Sequence, residues 1–215
     1  MKSYDKIEYW NKGEFGENCI AFDKLDGNNL RFEWGHKRGF YKFGSRTVMI
    51  DKNDENFSQC IPMFLEKYDE SLNRVFSKKY RGVRNFVVFC EYWGRNSFAG
   101  KHEPNDVMDM TLIDVSVFRR GIISPFEFVD NFGELGIPKI VYQGKYTNEL
   151  IRRVRTDEFG LQEGVVCKGV IKTKKDKDAI WMAKIKTNKW LTKIKEKLGE
   201  RALLEELNND KELLI

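Results

Sequence analysis

One long amphipathic segment is flanked on both sides by short apolar runs, which restricts the fold to few arrangements. Across residues 57–80 the large apolar side chains recur every three or four positions, which predicts a helix with one buried face. The runs at 86–93, 109–118 and 164–171 have the length of strands. Turn residues separate successive runs, so we expect an α+β fold with antiparallel sheets flanked by helices.

Local signals place further helix ends and one turn. Ser124 precedes Pro125, a pattern typical of a helix N-terminus, and another short helix is expected after Thr147. A basic helix is predicted from about Asn188, with an interruption at Gly199. Residues 24–29 contain an Asp-Gly pair between two strand-like runs, which predicts a hairpin turn.

The composition is that of a globular protein, with 41% hydrophobic and 33% charged residues. No stretch has the length and apolarity of a membrane span, so no membrane partner is expected. The four cysteines are widely separated, which predicts buried thiols in a reducing compartment such as the cytoplasm. His36 and His102 are isolated, which argues against a histidine metal site or a Ser-His triad.

The net charge of +5 is unevenly distributed. Residues 168–197 contain 11 lysines and only three acidic residues. This segment could bind an anionic partner, and a solvated lysine-rich face is the alternative.

A lysine in a short Lys-x-Asp-Gly string is the first candidate for chemistry. The string Lys24-Leu25-Asp26-Gly27 is weak evidence alone, because an ordinary strand turn with a solvated lysine has the same appearance. The alternative is a nucleophilic lysine, whose amine becomes reactive when nearby cations or a metal disfavour its protonation.

Three more charged positions lie at strand ends or on one strand face. Glu91 lies near the end of the run at 86–93, and Glu163 directly precedes the run at 164–171. Lys184 and Lys186 are two residues apart, so in a strand they share one face. Each position alone is most often a solvated charge at a strand end.

Taken in chain order, the four segments resemble motifs I, III, IV and V of the covalent nucleotidyltransferases, the ATP-dependent ligases and mRNA capping enzymes. The resemblance extends over residues 22–189. Within that superfamily, Asn29 and the string Gly44-Ser45-Arg46 are similar to the RNA ligase 2 group, which includes phage ligases and trypanosome editing ligases. The chain departs from that group at Asp26, where many members have His, and at Ile113, where an adenine-stacking Phe is common.

The resemblance implies a lysyl-AMP mechanism with ATP and Mg²⁺ (or Mn²⁺). Lys24 would attack the α-phosphorus, Lys184 and Lys186 would contact the α-phosphate, and Glu163 would organise the hydrated metal. Asp23 would reach the adenine amino group, although an ordinary surface acid is an equal alternative at that position.

The resemblance also implies five further ATP contacts. Glu91 would accept a hydrogen bond from a ribose hydroxyl, and Asn29 and Arg46 would position phosphates. Ile113 and Val166 would enclose the adenine with aliphatic surface.

Residues 1–189 are accordingly expected to form an adenylyltransferase domain, and residues 190–215 a helical extension without an OB domain. The predicted activity joins an RNA 5′-phosphate to a 3′-OH at ends or nicks. Arg152, Arg153 and Arg155 are candidate phosphate contacts, and a separate clamping subunit could assist. A minimal ATP-dependent DNA ligase and a catalytically silent nucleotide-dependent binding subunit are the open alternatives.

Overall fold

A computed structural model describes residues 1–54, 57–94 and 107–207, which leaves His102 outside the described residues. In these three ranges the chain forms eleven strands and four α-helices. The strands are β1 (Glu8–Tyr9), β2 (Asn18–Asp23), β3 (Gly27–Gly35), β4 (Gly39–Ser45), β5 (Met49–Ile50), β6 (Asn85–Trp93), β7 (Asp109–Val117), β8 (Gly121–Ile122), β9 (Ile140–Lys145), β10 (Gly164–Lys172) and β11 (Asp178–Lys186). The helices are α1 (Cys60–Lys79), α2 (Pro125–Phe132), α3 (Asn148–Arg155) and α4 (Asn188–Glu206). The predicted α+β class is confirmed.

Two compact units divide the described chain. The first holds Met1–Asp5 and Leu25–Pro138, and its sheet has the strand order β5-β4-β3-β6-β7-β8. All neighbouring strands in this sheet are antiparallel. Helix α1 packs on the sheet through aromatic rings, because Phe64 stacks on Phe32 with ring centroids 3.7 Å apart. The buried residues of α1 recur every four positions, as the sequence period predicts.

The second unit holds Lys6–Lys24 and the described residues from Lys139 onward. Its sheet has the order β1-β11-β10-β2-β9, in which only β1 and β11 run parallel. One face of this sheet is buried against α3, where Ala21 and Cys167 join Leu150 in a single apolar cluster. Side chains alternate along a strand, so neighbouring positions such as Val166 and Lys184 belong to the opposite face.

Helix α4 folds back on itself at Gly199, whose backbone angles are φ 85° and ψ 173°. This conformation is essentially restricted to glycine, so the predicted interruption is confirmed. Trp190 from the first half of α4 and Leu203 from the second half lie in one buried cluster that also contains Tyr9 of β1. Leu198 is 47% exposed because it directly precedes the reversal.

Side-chain caps begin α2 and α3 where the sequence predicts them. The Ser124 hydroxyl accepts a hydrogen bond from the Glu127 amide at the start of α2, and Thr147 caps α3 in the same way. All four cysteines are buried and free, which confirms the prediction of buried thiols. Among the described helices, none combines the length and apolarity that crossing a membrane requires.

The predicted hairpin at residues 24–29 is wrong. Strands β2 and β3 do not pair; β2 pairs with β9 and β10, whereas β3 pairs with β4 and β6. The Asp-Gly pair therefore lies where the chain passes from one sheet to another. Turn propensity indicates a change of direction but leaves the partner of the next strand undetermined.

Candidate functional site

Glu163 is the central side chain of a charged cluster in the second unit. It lies directly before β10 and exposes only 2% of its surface. Its carboxylate accepts from the Lys24 Nζ at 2.9 Å and from the Lys186 Nζ at 2.6 Å. Three of the four residues predicted to be catalytic are thus in direct contact.

Backbone hydrogen bonds hold the ends of three strands together around this cluster. The amide of Lys24 donates to the carbonyl of Gly164 at 2.9 Å, and the amide of Thr187 donates to the carbonyl of Glu163 at 2.9 Å. Gly164 is required at this point, because a Cβ atom there would lie 2.0 Å from the carbonyl oxygen of Ile185. The close approach of β10 and β11 brings the Glu163 side chain next to Lys186.

The charge state of Glu163 follows from these contacts. Burial opposes ionisation, but the ammonium groups of Lys24 and Lys186 outweigh it, so the pKa of Glu163 is lowered. The cluster therefore contains a buried carboxylate held between two cations.

Lys184 has different surroundings from Lys186, although both lie on β11. Burial lowers the pKa of Lys184 to about 8, with a further lowering from the Lys186 charge and an opposing effect from Glu206. The Lys184 Nζ lies 4.0 Å from the centroid of the Tyr9 ring. The predicted pair of lysines is present, but one is held by carboxylates and the other by an aromatic ring.

Glu206 is a member of the cluster that the sequence reasoning missed. It lies in the second half of α4, and its Oε1 is 2.5 Å from the Lys186 Nζ. The Tyr9 hydroxyl donates to the same carboxylate oxygen at 3.4 Å. No local sequence signal points to this contact, because Glu206 and Tyr9 are 197 residues apart.

Two further predicted residues of the second unit lie on β2 and β10. Asp23 is half-buried, and burial raises its pKa despite the opposing charge of Lys139. Val166 is 8% exposed and lies directly opposite Lys184 in the β10–β11 pair.

The first unit contains the other four predicted nucleotide contacts. Asn29 and Glu91 are direct partners across the β3–β6 pair. The Asn29 Oδ1 is buried and accepts no hydrogen bond from the described residues, so a polar donor from outside the protein could satisfy it. Ile113 is the extra residue of a β-bulge in β7, and Arg46 lies exposed in the turn between β4 and β5.

Two arginines of α3 form ion pairs with acidic neighbours, which the sequence did not predict. Arg152 forms ion pairs with Glu149 at 2.7 Å and with Glu158 at 2.8 Å. Arg153 pairs with Glu158 at 3.2 Å. Two of the three candidate phosphate contacts are therefore already paired within the protein.

A divalent metal fits the cluster only in a largely hydrated form. Among the residues that the structure describes, no group of three or more His, Cys, Asp or Glu side chains could hold a metal ion. Mg²⁺ characteristically keeps several waters and binds one or two carboxylates together with substrate phosphates. The single buried carboxylate of Glu163 fits that mode of binding.

Solved structures that match this fold include RNA ligases. A Naegleria gruberi RNA ligase variant solved with ATP and Mn matches with a TM-score of 0.64 at 15% identity, over 91% of this chain and 59% of that chain. An apo variant of the Naegleria enzyme matches with a TM-score of 0.65 at 15% identity, over 92% of this chain and 59% of that one. An archaeal ATP-dependent RNA ligase matches with a TM-score of 0.62 at 14% identity, over 90% and 50% of the two chains.

These matches establish the fold, that of the nucleotidyltransferase part of ATP-dependent RNA ligases. The chain spans about 59% of the Naegleria chains and 50% of the archaeal chain. No protein-family model matches the sequence, and no curated protein matches it.

Proposed function

We propose that this protein is an ATP-dependent polynucleotide ligase of the covalent nucleotidyltransferase superfamily that acts on RNA ends. The observation that carries the proposal is the buried Glu163 carboxylate between Lys24 and Lys186. It occurs in a fold shared with a Naegleria gruberi RNA ligase, two variants of which were solved with ATP and Mn.

Lys24 is the proposed nucleophile. The Lys24 ammonium first gives a proton to solvent, and the resulting amine forms a bond to the α-phosphorus of ATP. The bond to the leaving pyrophosphate breaks and the nitrogen releases a second proton to solvent, which leaves a lysyl-AMP phosphoramidate. Glu163 accepts a hydrogen bond from the Lys24 Nζ, so it holds the amine in a defined orientation before attack.

Lys184 and Lys186 supply positive charge on one strand face for the α-phosphate, where charge develops during attack. When Mg²⁺ or Mn²⁺ is bound, it neutralises charge on the transferring phosphates, and Glu163 is the residue that would hold its hydration shell. Asp23 and Val166 are proposed as adenine contacts.

The first-unit contacts with ATP stay predictions from the resemblance. Glu91 would contact the ribose, Ile113 the adenine, and Asn29 and Arg46 the phosphates. The unsatisfied oxygen of Asn29 supports a ligand at that position.

In the second half of the reaction, AMP passes to an RNA 5′-phosphate, and a neighbouring 3′-OH attacks the activated end and releases AMP. The RNA ligase 2 type is proposed on Asn29 and on Gly44-Ser45-Arg46. The division at residue 189, the cytoplasmic location and a separate clamping subunit are likewise proposals.

The test is covalent labelling of the full chain with ATP carrying a label on the α-phosphate, in the presence of Mg²⁺, followed by a denaturing gel. We expect a labelled adduct that Lys24→Ala abolishes and that Lys145→Ala, an exposed lysine of the same unit, leaves unchanged. A wild-type protein without adduct would point to the silent binding subunit. A persistent adduct in Lys24→Ala would refute the assigned nucleophile.

Sealing rates on nicked duplexes distinguish an RNA ligase activity from a DNA ligase activity. We expect faster sealing when the 3′-OH strand ends in ribonucleotides, because the 2′-hydroxyl is the feature that distinguishes the two nucleic acids. Equal rates on all-DNA nicks would favour the minimal DNA ligase.

A further inference from the structure

The two lysines on the shared face of β11 contact different kinds of partner. Lys186 pairs with Glu163 and with Glu206, so two carboxylates offset its charge. Among the described residues, no carboxylate lies within salt-bridge distance of the Lys184 ammonium, whose close partner is the Tyr9 ring at 4.0 Å. An aromatic face attracts a cation without neutralising it and without using its hydrogen bonds to oxygen.

Tyr9 is itself firmly placed. It is 4% exposed and lies in the buried cluster with Trp190, Leu191 and Leu203 of α4. In the parallel β1–β11 pair, Tyr9 is the direct partner of Lys184. Its hydroxyl donates to Glu206, which further limits rotation of the ring.

We propose that Tyr9 is a positioning residue for Lys184, holding its ammonium group against the aromatic face while leaving its charge and its hydrogen bonds available to an ATP phosphate. The inference rests on the proposed function of the cluster. It assigns a role to a residue that no motif of the sequence analysis includes.

The environment of Lys184 makes such support necessary. Burial lowers its pKa to about 8, and the Lys186 and Lys24 charges act in the same direction. The charged and titratable groups that face it are Tyr9 on β1, Lys24 after β2, Glu163 before β10, Lys186 on β11 and Glu206 on α4. A ring that favours the ammonium form counteracts part of the burial effect.

The experiment compares Tyr9→Leu with Tyr9→Phe in the full chain. Leucine removes the aromatic face, whereas phenylalanine keeps it and removes only the hydrogen bond to Glu206. We expect Tyr9→Leu to raise the ATP concentration that half-saturates adduct formation, on the order of tenfold. In the pH profile of adduct formation, the loss of activity at alkaline pH should begin at lower pH in this variant. Tyr9→Phe should restore most of the affinity.

Leu191→Ala is the matched control, since it weakens the same buried cluster without touching Lys184. It should lower the melting temperature and leave the half-saturating ATP concentration unchanged. If Leu191→Ala weakens ATP binding as much as Tyr9→Leu does, or if Tyr9→Leu and Tyr9→Phe behave alike, the positioning role is refuted.

A second measurement does not depend on activity. The Cε signal of Lys184, assigned with Lys184→Arg in ¹³C-lysine-labelled protein, should titrate at lower pH in Tyr9→Leu than in Tyr9→Phe. An unchanged titration in Tyr9→Leu overturns the inference even where adduct forms normally. Absence of adduct in the wild type, with the titration shifted as expected, refutes the proposed function and with it the role toward ATP, while the contact between Tyr9 and Lys184 stands.

Discussion

A carboxylate with 2% of its surface exposed is costly to ionise, and Glu163 is ionised because Lys24 and Lys186 contact its two oxygens. The two lysines depend on the glutamate in return, since removing it would leave two ammonium groups facing each other. The cluster is therefore a structural link between the end of β2, the start of β10 and the end of β11.

We predict that Glu163→Gln destabilises the protein at neutral pH by about 2 kcal/mol or more, because a buried amide cannot replace the ion pairs with Lys24 and Lys186. The lowered pKa of Glu163 means that its ionised form stabilises the fold above pH 4.5, its ordinary value, and that this contribution is lost as the pH falls through the lowered pKa. Urea unfolding from neutral to acidic pH measures the difference in free energy of unfolding.

The difference between wild type and Glu163→Gln should therefore shrink on acidification. Glu70→Gln is the control, since the Glu70 side chain is 88% exposed and its removal should change little at any pH. A wild-type advantage that is constant down to acidic pH would contradict the assigned ion pairs.

At the scale of elements, α4 connects the C-terminal part of the described chain to the lysine pair. Its first half is anchored by Trp190 and Ile194, and the reversal at Gly199 returns its second half toward β1. The result is that Glu206 contacts Lys186, one of the two proposed phosphate contacts. The Glu206 carboxylate therefore offsets positive charge on Lys186 that would otherwise attract an incoming phosphate.

We predict that Glu206→Gln lowers the ATP concentration for half-saturated adduct formation by roughly tenfold, because a competing charged hydrogen bond to Lys186 is removed. Glu205→Gln is the matched control on the neighbouring position, where the carboxylate pairs only with Arg201 across one helical turn among the described residues. ATP titrations of adduct formation measure both variants. Weaker ATP binding in Glu206→Gln would mean that the carboxylate supports the lysine instead of competing with phosphate.

At the scale of the whole molecule, the cations available to a nucleic acid differ from those counted in the sequence. The net charge is +5, yet Arg152 and Arg153 are engaged by acidic neighbours on or after α3. Under the proposed function, the other exposed lysines and arginines would supply the phosphate contacts, and such contacts weaken as salt is added.

We predict that strand sealing falls by at least about tenfold between about 50 and 200 mM salt, whereas adduct formation changes much less, because the lysines around Glu163 are largely buried. The measurement follows adduct and sealed product in parallel across a salt series. Sealing that tolerates added salt as well as adduct formation does would indicate that nucleic acid binds through contacts other than exposed cations.

The sequence by itself determined where the helices and strands lie and which residues share a face. The period of apolar residues located α1, hydroxyl caps located α2 and α3, and the two-residue spacing placed Lys184 and Lys186 together. These properties depend on neighbours within a few positions, so a local pattern is sufficient to predict them.

The tertiary structure alone decided what those residues contact. Lys24 meets Glu163 across 139 residues, and Tyr9 meets Glu206 across 197. The segment after Lys24 leads to a different sheet where turn propensity predicted a hairpin. Strand pairing and helix packing are selected by the burial of the whole apolar surface, so no local window contains the partner of Lys184 or Lys186.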